Sequence, residues 1–296
     1  MAIRRVSVLT TGEVRIRPQH VESDGTPMLW WLNTTRRWTG PRPINVYVIE
    51  HDQGLVLFDT GQDRRSILSP DYFPKGLFGH FFRRLARFAI SAEETLPRQL
   101  AELGYDIDDV RVAILSHLHQ DHIGGLPDLT HAEILVSAAD WAEVPRRSAL
   151  LSGVMRDHIL LPGLRWTPID LGSRTGPGVP PFPAAHDLFG DGTLVLVPTP
   201  GHTPGSVSLL LRSEGLPPML FVGDLTYDVG LLREERVPGV GRRSALLRST
   251  RLVNDFVRRN PGTLVLAAHD PGAAAVLQAA TSGPAPSDGE DAAPAA

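Results

Sequence analysis

The 296-residue sequence contains no cysteine. This absence excludes a disulfide framework, a thiolate nucleophile and any metal site that uses cysteine sulfur. The chain also has no apolar run near the roughly 18 residues that a membrane-spanning helix needs. The N-terminal stretch from Met1 to Val14 contains Arg4 and Arg5 but no apolar segment of the kind found in signal peptides. We therefore expect a cytoplasmic protein without a membrane span.

Positive charge is also scarce. The chain has 29 lysine and arginine residues against 33 aspartate and glutamate residues, and its formal net charge is −4. Nucleic-acid binding needs concentrated positive charge, so we expect no nucleic-acid partner. A hydrophobic content of 42% and a charged content of 21% are ordinary for a globular protein and exclude a fibrous or wholly disordered chain.

The composition changes clearly only near the C-terminus. Residues 281–296 have the sequence TSGPAPSDGEDAAPAA, which offers no aromatic or large apolar side chain to a core. We predict a disordered tail over 281–296, after one domain that covers residues 1–280. Within that domain, residues 161–192 contain GSRTGPGVPPFP, which predicts an irregular loop.

Short apolar runs rich in β-branched residues alternate with segments of helical periodicity. The predicted strands are Ile44–Ile49, Leu55–Phe58, Val110–Leu115, Ile134–Val136, Leu194–Val197, Val207–Leu211, Met219–Val222 and Leu264–Ala267. The predicted helices cover residues 77–90, 95–104, 138–147 and 242–259. The alternation indicates either an α/β protein or an α+β protein with two sheets, and the pattern alone leaves both open.

The predicted helix over 77–90 is amphipathic. Phe81 and Phe82 lie on its apolar side, and arginines lie on the other. We expect the apolar side to pack on the core or to form the wall of a pocket. A membrane surface or a protein partner is the alternative, and the same helix is a candidate interface for a homodimer.

The clearest chemical signal follows the predicted strand at 110–115. The segment SHLHQDHIGG places three histidines and one aspartate within six residues. Residues i and i+2 of an extended chain share a face, so His117 and His119 can bind one metal ion. If a helix begins directly after them, its first turn directs Asp121 and His122 towards a second ion.

Other polar residues directly follow predicted strands and lie beside glycine or proline. They are Asp59 in DTG, His202 in PTPGHTPGS, Asp224 in FVGD and His269 in AAHD. Strand ends give side chains rigid support at one edge of a sheet, so the pattern predicts one composite site.

In this order and at these separations, the five segments resemble the successive motifs of the metallo-β-lactamase superfamily. The resemblance covers about residues 44–270. It implies an α+β fold, the αββα sandwich, in which two packed mixed β-sheets are flanked by helices and the metal site lies at one edge.

The resemblance also implies ligands for two divalent metal ions. The first ion is assigned His117, His119 and His202, the second is assigned Asp121, His122 and His269, Asp224 bridges the two, and Asp59 orients the ligands from behind. Imidazole and carboxylate ligands suit Zn²⁺, with Mn²⁺, Fe²⁺ or Co²⁺ as alternatives.

Two such ions activate water and polarise a carbonyl or phosphoryl oxygen, so we expect a hydrolase. Tyr227, three residues after Asp224, resembles a tyrosine of the N-acyl homoserine lactonases, the quorum-quenching members of the superfamily. That resemblance implies opening of a lactone by a metal-bridging hydroxide. Tyr227 would then donate to the oxyanion, and Asp121 would act as general base and then as general acid.

The sequence identifies candidate substrate-contacting residues less directly than it identifies the candidate metal ligands. Gln120 lies between the second histidine and the aspartate of the first motif, where many acyl-homoserine lactonases have an aromatic residue. Phe81, Phe82 and Trp30 are candidates for an apolar wall around an acyl chain.

Three alternatives stay open. A thioester hydrolase of the hydroxyacylglutathione type shares the seven ligands, although such enzymes bind glutathione through a basic C-terminal helical region and this chain ends soon after His269. Hydrolysis of another ester or of an organophosphate is the second. A non-catalytic metal-binding module is the third, and it would be expected to lack ligands, none of which is missing here.

Overall fold

Strands and helices alternate along the chain in the computed structural model, which describes residues 2–171 and 178–282. The strands are β1 (Ile3–Ile16), β2 (Arg42–His51), β3 (Gly54–Phe58), β4 (Ala86–Ala89), β5 (Val110–Ile114), β6 (Glu133–Ser137), β7 (Arg165–Ile169), β8 (His186–Asp187), β9 (Leu194–Pro198), β10 (Val207–Leu211), β11 (Met219–Phe221) and β12 (Leu264–Leu266). The α-helices are α1 (Pro18–Val21), α2 (Met28–Thr34), α3 (Arg65–Leu68), α4 (Gly76–Leu85), α5 (Leu96–Glu102), α6 (Ala138–Trp141), α7 (Arg156–Ile159), α8 (Val229–Arg233), α9 (Arg243–Arg259) and α10 (Ala273–Thr281).

The strands form two mixed sheets. The first has the order β4-β1-β2-β3-β5-β6-β7, and the second has the order β12-β11-β10-β9-β8. In the first sheet, β3, β5, β6 and β7 are parallel neighbours, whereas the other pairs are antiparallel. In the second sheet, β11 and β12 are parallel and the remaining pairs are antiparallel.

The two sheets pack face to face through large apolar side chains. Tyr47 and Phe58 of the first sheet contact Phe221 of the second, with ring centroids 4.6 Å and 6.1 Å away. The Tyr47 hydroxyl donates to the carbonyl oxygen of Ala267 at 2.8 Å. This bond satisfies a buried hydroxyl and ties the sheets together.

Helices cover the outer faces of both sheets. Leu96 and Leu100 of α5 pack against the first sheet, and Leu246 and Val253 of α9 pack against the second. The order helix, sheet, sheet, helix confirms the predicted αββα sandwich.

Strand direction brings five chain segments to one edge of the sandwich. Because β3 and β5 are parallel, Asp59 and His117 leave the first sheet on the same side. β9 and β11 are both antiparallel to β10, and β12 is parallel to β11. His202, Asp224 and His269 therefore leave the second sheet on one side as well.

All eight predicted strands are present, with ends shifted by at most two residues. β1 was not predicted, because Arg4, Arg5 and Gly12 interrupt its apolar pattern. Gly12 has φ +85°, and the register between β1 and β2 shifts between Thr10 and Glu13. A left-handed residue inside a strand is typical of a β-bulge, which hides the alternation that predicts strands.

The prediction of one helix over 77–90 is wrong in its last turn. α4 ends at Leu85, and β4 then pairs antiparallel with the end of β1. Ala86 and Phe88 are partly buried, whereas Arg87 and Ala89 are exposed. This period of two belongs to a strand and not to a helix.

The predicted helix over 138–147 is also wrong after Trp141. α6 ends there, and separate turns follow up to Arg146. Pro145 has no N–H to donate, and the residue before a proline disfavours helical backbone, so the helix cannot continue. The predicted helices over 95–104 and 242–259 correspond to α5 and α9. Among the helices that the structure describes, none combines the length and apolar character needed to cross a membrane.

The predicted irregular loop over 161–192 is wrong in two places, because β7 and β8 lie within it. Residues 172–177 of that loop lie outside the described residues. The predicted tail is also largely outside them, since the described chain ends at Ser282, directly after α10. The disorder of residues 281–296 and the single domain over 1–280 therefore stay predictions.

The aromatic contact between the sheets gives a test of the fold. We expect Phe221→Ala to lower the free energy of unfolding by about 3–5 kcal/mol, because it opens a cavity at a position with 0% exposure. Urea denaturation measures the loss. Leu77→Ala, at a side chain that is 88% exposed, is the control and should change stability by less than about 0.5 kcal/mol. Equal effects of the two substitutions would contradict the assigned core.

Candidate metal centre

The first group of polar side chains lies on the turn that follows β5. No helix begins directly after His119; instead the chain makes a tight turn in which the His122 N–H donates to the carbonyl oxygen of His119 at 3.0 Å. The helix that would have directed Asp121 and His122 towards a second ion is therefore absent, and a turn brings them there instead. Gly124 lies so close to Gln62 and Asp63 that a Cβ atom there would collide with their backbone. This close packing holds the turn against the end of β3.

Three imidazoles form one potential set of ligands. His117, His119 and His202 each offer a nitrogen, and these atoms lie within 4.8 Å of one another. His119 Nδ1 and His202 Nε2 are 2.9 Å apart. The other nitrogen of His119 lies 3.0 Å from the carbonyl oxygen of Ser152, to which it donates, so Nδ1 remains available for a metal ion.

A second set lies beside the first. Asp121, His122 and His269 also place one ligand atom each within 4.8 Å of the others. His269 Nε2 is 3.5 Å from Asp121 Oδ2. His269 Nδ1 donates to the carbonyl oxygen of Pro43 at 2.9 Å, which leaves Nε2 facing the centre.

Asp224 lies between the two sets. Its Oδ2 is 3.4 Å from His202 Nε2, whereas its Oδ1 is 3.3 Å from both His122 Nε2 and His269 Nε2. One carboxylate oxygen thus faces each set of ligands. This is the arrangement needed for a carboxylate that bridges two metal ions.

The residues fit divalent metal ions, as their unpaired polar atoms indicate. His117 Nε2, His122 Nε2 and Asp224 Oδ1 are buried, and none has a hydrogen-bond partner among the described residues. A buried polar atom without a partner is costly, and several such atoms facing one point are rare unless they bind something. Their types, imidazole nitrogen and carboxylate oxygen, suit Zn²⁺ and related ions.

Asp59 supports the centre from behind. Its Oδ1 accepts from the Ser116 N–H at 2.7 Å, and its Oδ2 accepts from the Ser116 hydroxyl at 2.9 Å and from His122 Nδ1 at 2.8 Å. A carboxylate only accepts, so the proton is on His122 Nδ1, and Nε2 is the ligand atom. Asp59 itself has φ +65°, a left-handed conformation that aspartate tolerates better than most residues.

The buried carboxylates of the centre favour a positive charge beside them. Burial alone would lower the pKa values of His122 and His269, but the neighbouring carboxylates together raise both: Asp224 acts on each of them, Asp59 also acts on His122, and Asp121 also acts on His269. Burial lowers the pKa values of His117 and His202 well below their usual range, so these imidazoles are neutral at pH 7. Neutral imidazoles beside buried carboxylates are the protonation states that a metal ion requires.

Tyr227 completes the floor of the site. Its hydroxyl donates to Asp224 Oδ2 at 2.9 Å, and its ring stacks on His269 with centroids 5.4 Å apart. Burial and the neighbouring Asp224 raise the pKa of the Tyr227 phenol well above its usual value. The phenol is therefore a neutral hydrogen-bond donor in this site.

The centre opens into a cavity of about 560 Å³. Gln120, Phe81 and Phe82 line it, together with His119, Asp121, His202, Asp224, His269 and Tyr227. Trp30 does not line it; this side chain is 64% exposed on α2. Leu85 and Phe88 extend the apolar wall that Phe81 and Phe82 begin.

Several cavity residues have no counterpart in the sequence prediction. His20 lines the cavity, and its ring packs edge-on against Trp31 and Tyr227. Burial lowers the pKa of His20 to about 3, so it is a neutral group here. Arg242 and Arg248 also line the cavity. No local sequence pattern distinguishes these three residues from other polar residues of the chain, whereas Ser116 adjoins the His117 motif and was recognisable from that position.

The comparison with known families agrees with this geometry. Residues 39–269 match the model of the metallo-β-lactamase superfamily, a stretch that contains every candidate ligand. The chain belongs to the metallo-β-lactamase superfamily. Its sandwich fold is the one that the motifs implied.

Relatives within the superfamily include hydrolases and lactonases. A probable metallo-hydrolase of Mycobacterium tuberculosis is 35% identical over 242 residues, which cover 77% of this chain and 74% of the relative. The N-acyl homoserine lactonase AttM of Rhizobium radiobacter is 29% identical over 235 residues, covering 78% of this chain and 83% of that protein.

Two solved structures share the fold of this chain. A crystal structure of a B. thuringiensis AiiA variant with N-decanoyl-L-homoserine at its active site has a TM-score of 0.72 and 23% identity, over 92% of this chain and 95% of that one. AidC, described as a dizinc quorum-quenching lactonase, has a TM-score of 0.56 and 17% identity, over 91% of this chain and 90% of that one.

The contacts of Asp59 lead to a prediction about metal affinity. We expect Asp59→Asn to weaken metal binding about 10- to 100-fold, because asparagine keeps the left-handed backbone but has one acceptor oxygen for three donors. Titration against a coloured chelator measures the affinity. Asp52→Asn, at a half-exposed carboxylate paired with Arg4, is the matched control. Unchanged affinity in Asp59→Asn would show that this carboxylate does not orient the ligands.

Proposed function

We propose that this protein is a dinuclear metal-dependent hydrolase that opens lactones of the N-acyl homoserine type. The observation that carries the proposal is the position of Asp224, with one oxygen towards each set of imidazoles at the floor of a cavity. Relatives named N-acyl homoserine lactonases support the substrate class. Two divalent ions, when bound, would supply a hydroxide nucleophile at neutral pH and polarise the carbonyl oxygen.

The residues that would bind the ions are those of the two ligand sets. His117, His119 and His202 would hold one ion, Asp121, His122 and His269 would hold the other, and Asp224 would contribute to both sites. We propose Zn²⁺ as the metal, with Mn²⁺, Fe²⁺ and Co²⁺ as outcomes that a metal-dependence experiment distinguishes.

Asp121 moves the proton in the proposed reaction. Its side chain is 15% exposed, compared with 5% for Asp224, and it lines the cavity. A carboxylate in this position accepts the proton released on attack and returns it to the leaving alkoxide, which completes ring opening.

Tyr227 stabilises the charge that develops on the carbonyl oxygen. Its phenol is protonated, lines the cavity and donates its one hydrogen to Asp224 Oδ2; if Asp224 binds metal ions instead, that hydrogen can be donated to a substrate oxygen at the centre. Arg42 holds the backbone of this residue, because its guanidinium donates to the Tyr227 carbonyl oxygen at 2.6 Å. The donor is therefore positioned before substrate binds.

Gln120 is suited to the amide group of an acyl homoserine lactone. Its side chain is buried at the cavity wall, and its Oε1 has no hydrogen-bond partner among the described residues. A free amide oxygen accepts an N–H well, so a polar contact replaces the aromatic contact of many lactonases. Phe81 and Phe82 then lie on the apolar side of the same cavity.

Acid release in weak buffer tests the proposed function. We expect the zinc-, manganese- or cobalt-loaded protein to open N-acyl homoserine lactones of several chain lengths, and a chelator to abolish turnover. Simple γ- and δ-lactones, S-lactoylglutathione, an aryl ester and an organophosphate are assayed in parallel. Turnover restricted to the thioester, the aryl ester or the organophosphate would replace the lactonase proposal, and no turnover of any substrate would favour a non-catalytic module.

A single substitution tests the role of the phenol. We expect Tyr227→Phe to reduce kcat about 10- to 100-fold without changing the metal content, because it removes one donor and no ligand. Steady-state kinetics and elemental analysis measure the two quantities. Tyr105→Phe is the control, since Tyr105 donates to Glu50 at 2.8 Å in a contact apart from the cavity. A normal kcat in Tyr227→Phe would make this tyrosine structural.

A further inference from the structure

Two arginines at the start of α9 line the cavity without partners among the described residues. Arg242 is the N-cap residue directly before the helix, and Arg248 lies on its second turn, three residues after Ala245, which also lines the cavity. Both guanidinium side chains are exposed, and neither makes a hydrogen bond or ion pair with any described residue. Three of the other four arginines of α9 are paired: Arg251 contacts Glu235, and Arg258 and Arg259 contact Asp255, whereas Arg243 is unpaired among the described residues but does not line the cavity.

Backbone contacts fix α9 relative to the metal centre. The Arg242 N–H donates to the Gly201 carbonyl oxygen at 2.6 Å, and the Ser249 hydroxyl donates to the Pro200 carbonyl oxygen at 2.7 Å. Gly241 lies so close that a Cβ atom there would be 2.8 Å from His202 Cα. The backbone from which both arginine side chains extend is thus anchored to the segment that carries His202.

No acidic residue of the cavity neutralises these charges outside the metal centre. The carboxylates among its described lining residues are Asp121 and Asp224, both of which are candidate ligands. Apolar side chains also line the cavity, among them Phe81, Leu85 and Phe88. A neutral acyl chain would use the metal centre and the apolar wall but would leave both guanidinium groups without a partner.

We propose that the cavity selects substrates with an anionic group, a carboxylate or a phosphate, on the acyl chain and outside the hydrolysed ring. Arg242 and Arg248 bind this group, because a guanidinium fork matches two oxygens of a carboxylate or phosphate. This inference rests on the proposed hydrolase function and narrows its substrate class from neutral acyl lactones to anionic ones.

A matched pair of substrates tests the proposal. N-hexanoyl- and N-adipoyl-homoserine lactone have acyl chains of the same length, but the second ends in a carboxylate. For the metal-loaded protein at low salt we expect kcat/KM to be about fivefold higher for the adipoyl compound, as charge pairing near a surface allows. The preference should fall towards one at high salt, because the pairing is solvent-exposed.

Variants show which residues create the preference. We expect Arg242→Gln and Arg248→Gln each to reduce the ratio of the two kcat/KM values, and the double variant to bring it to about one. Arg243→Gln is the matched control, since Arg243 is exposed on the same helix and does not line the cavity. A wild-type ratio of one or less, or a ratio that both substitutions leave unchanged, would overturn the proposal while leaving lactone hydrolysis in place.

Two further experiments identify the preferred anion and test the anion site independently of lactone hydrolysis. A third lactone with a terminal phosphonate distinguishes the two anions, since a ratio above that of the adipoyl compound assigns the site to phosphate. If no lactone is opened, the proposed function fails, and calorimetric binding of the ring-opened N-adipoyl- and N-hexanoyl-homoserine still tests the anion site. Tighter binding of the adipoyl compound that is lost in Arg248→Gln supports it, and equal binding overturns it.

Discussion

The buried carboxylate of Asp224 is the constraint on which the site depends. It follows β11 at a position with 5% side-chain exposure and faces three imidazole nitrogens at 3.3–3.4 Å. A carboxylate without compensating positive charge would not be stable at such a depth. Cationic or metal-binding groups from both sheets therefore have to lie at this point. The strands that run towards this edge of the sandwich bring them there.

The need to compensate the Asp224 carboxylate also explains the residues that lie behind the ligands. Asp59 and Ser116 orient His122, and the Pro43 carbonyl oxygen orients His269, so each Nε2 faces inward. The contact between Pro43 and His269 also joins the first sheet to a ligand that follows a strand of the second. The polar centre is consequently as fixed as the apolar core beneath it, which is what metal binding with defined geometry requires.

The sequence predicted the parts of the structure that are local or motif-bound. Strands such as Val207–Leu211 are continuous apolar runs, and the candidate ligands follow such runs beside glycine or proline, so both were recognisable. β4 was mistaken for helix because Phe88 continues the spacing of Phe81 and Leu85, and only pairing with β1 decides its conformation. His20, Arg242 and Arg248 could not be assigned, because their role comes from the tertiary packing of α1 and α9 around the cavity.

The location of the ligands at strand ends has an evolutionary consequence. The described cavity walls include helices between the strands, such as α4 with Phe81 and α9 with Arg248, whereas every candidate ligand lies on a turn that follows a strand end. Substitutions in α4 or α9 can therefore alter which molecules are accepted without displacing a ligand. Lineages that share this scaffold are free to diverge in substrate while the hydrolytic chemistry is inherited intact.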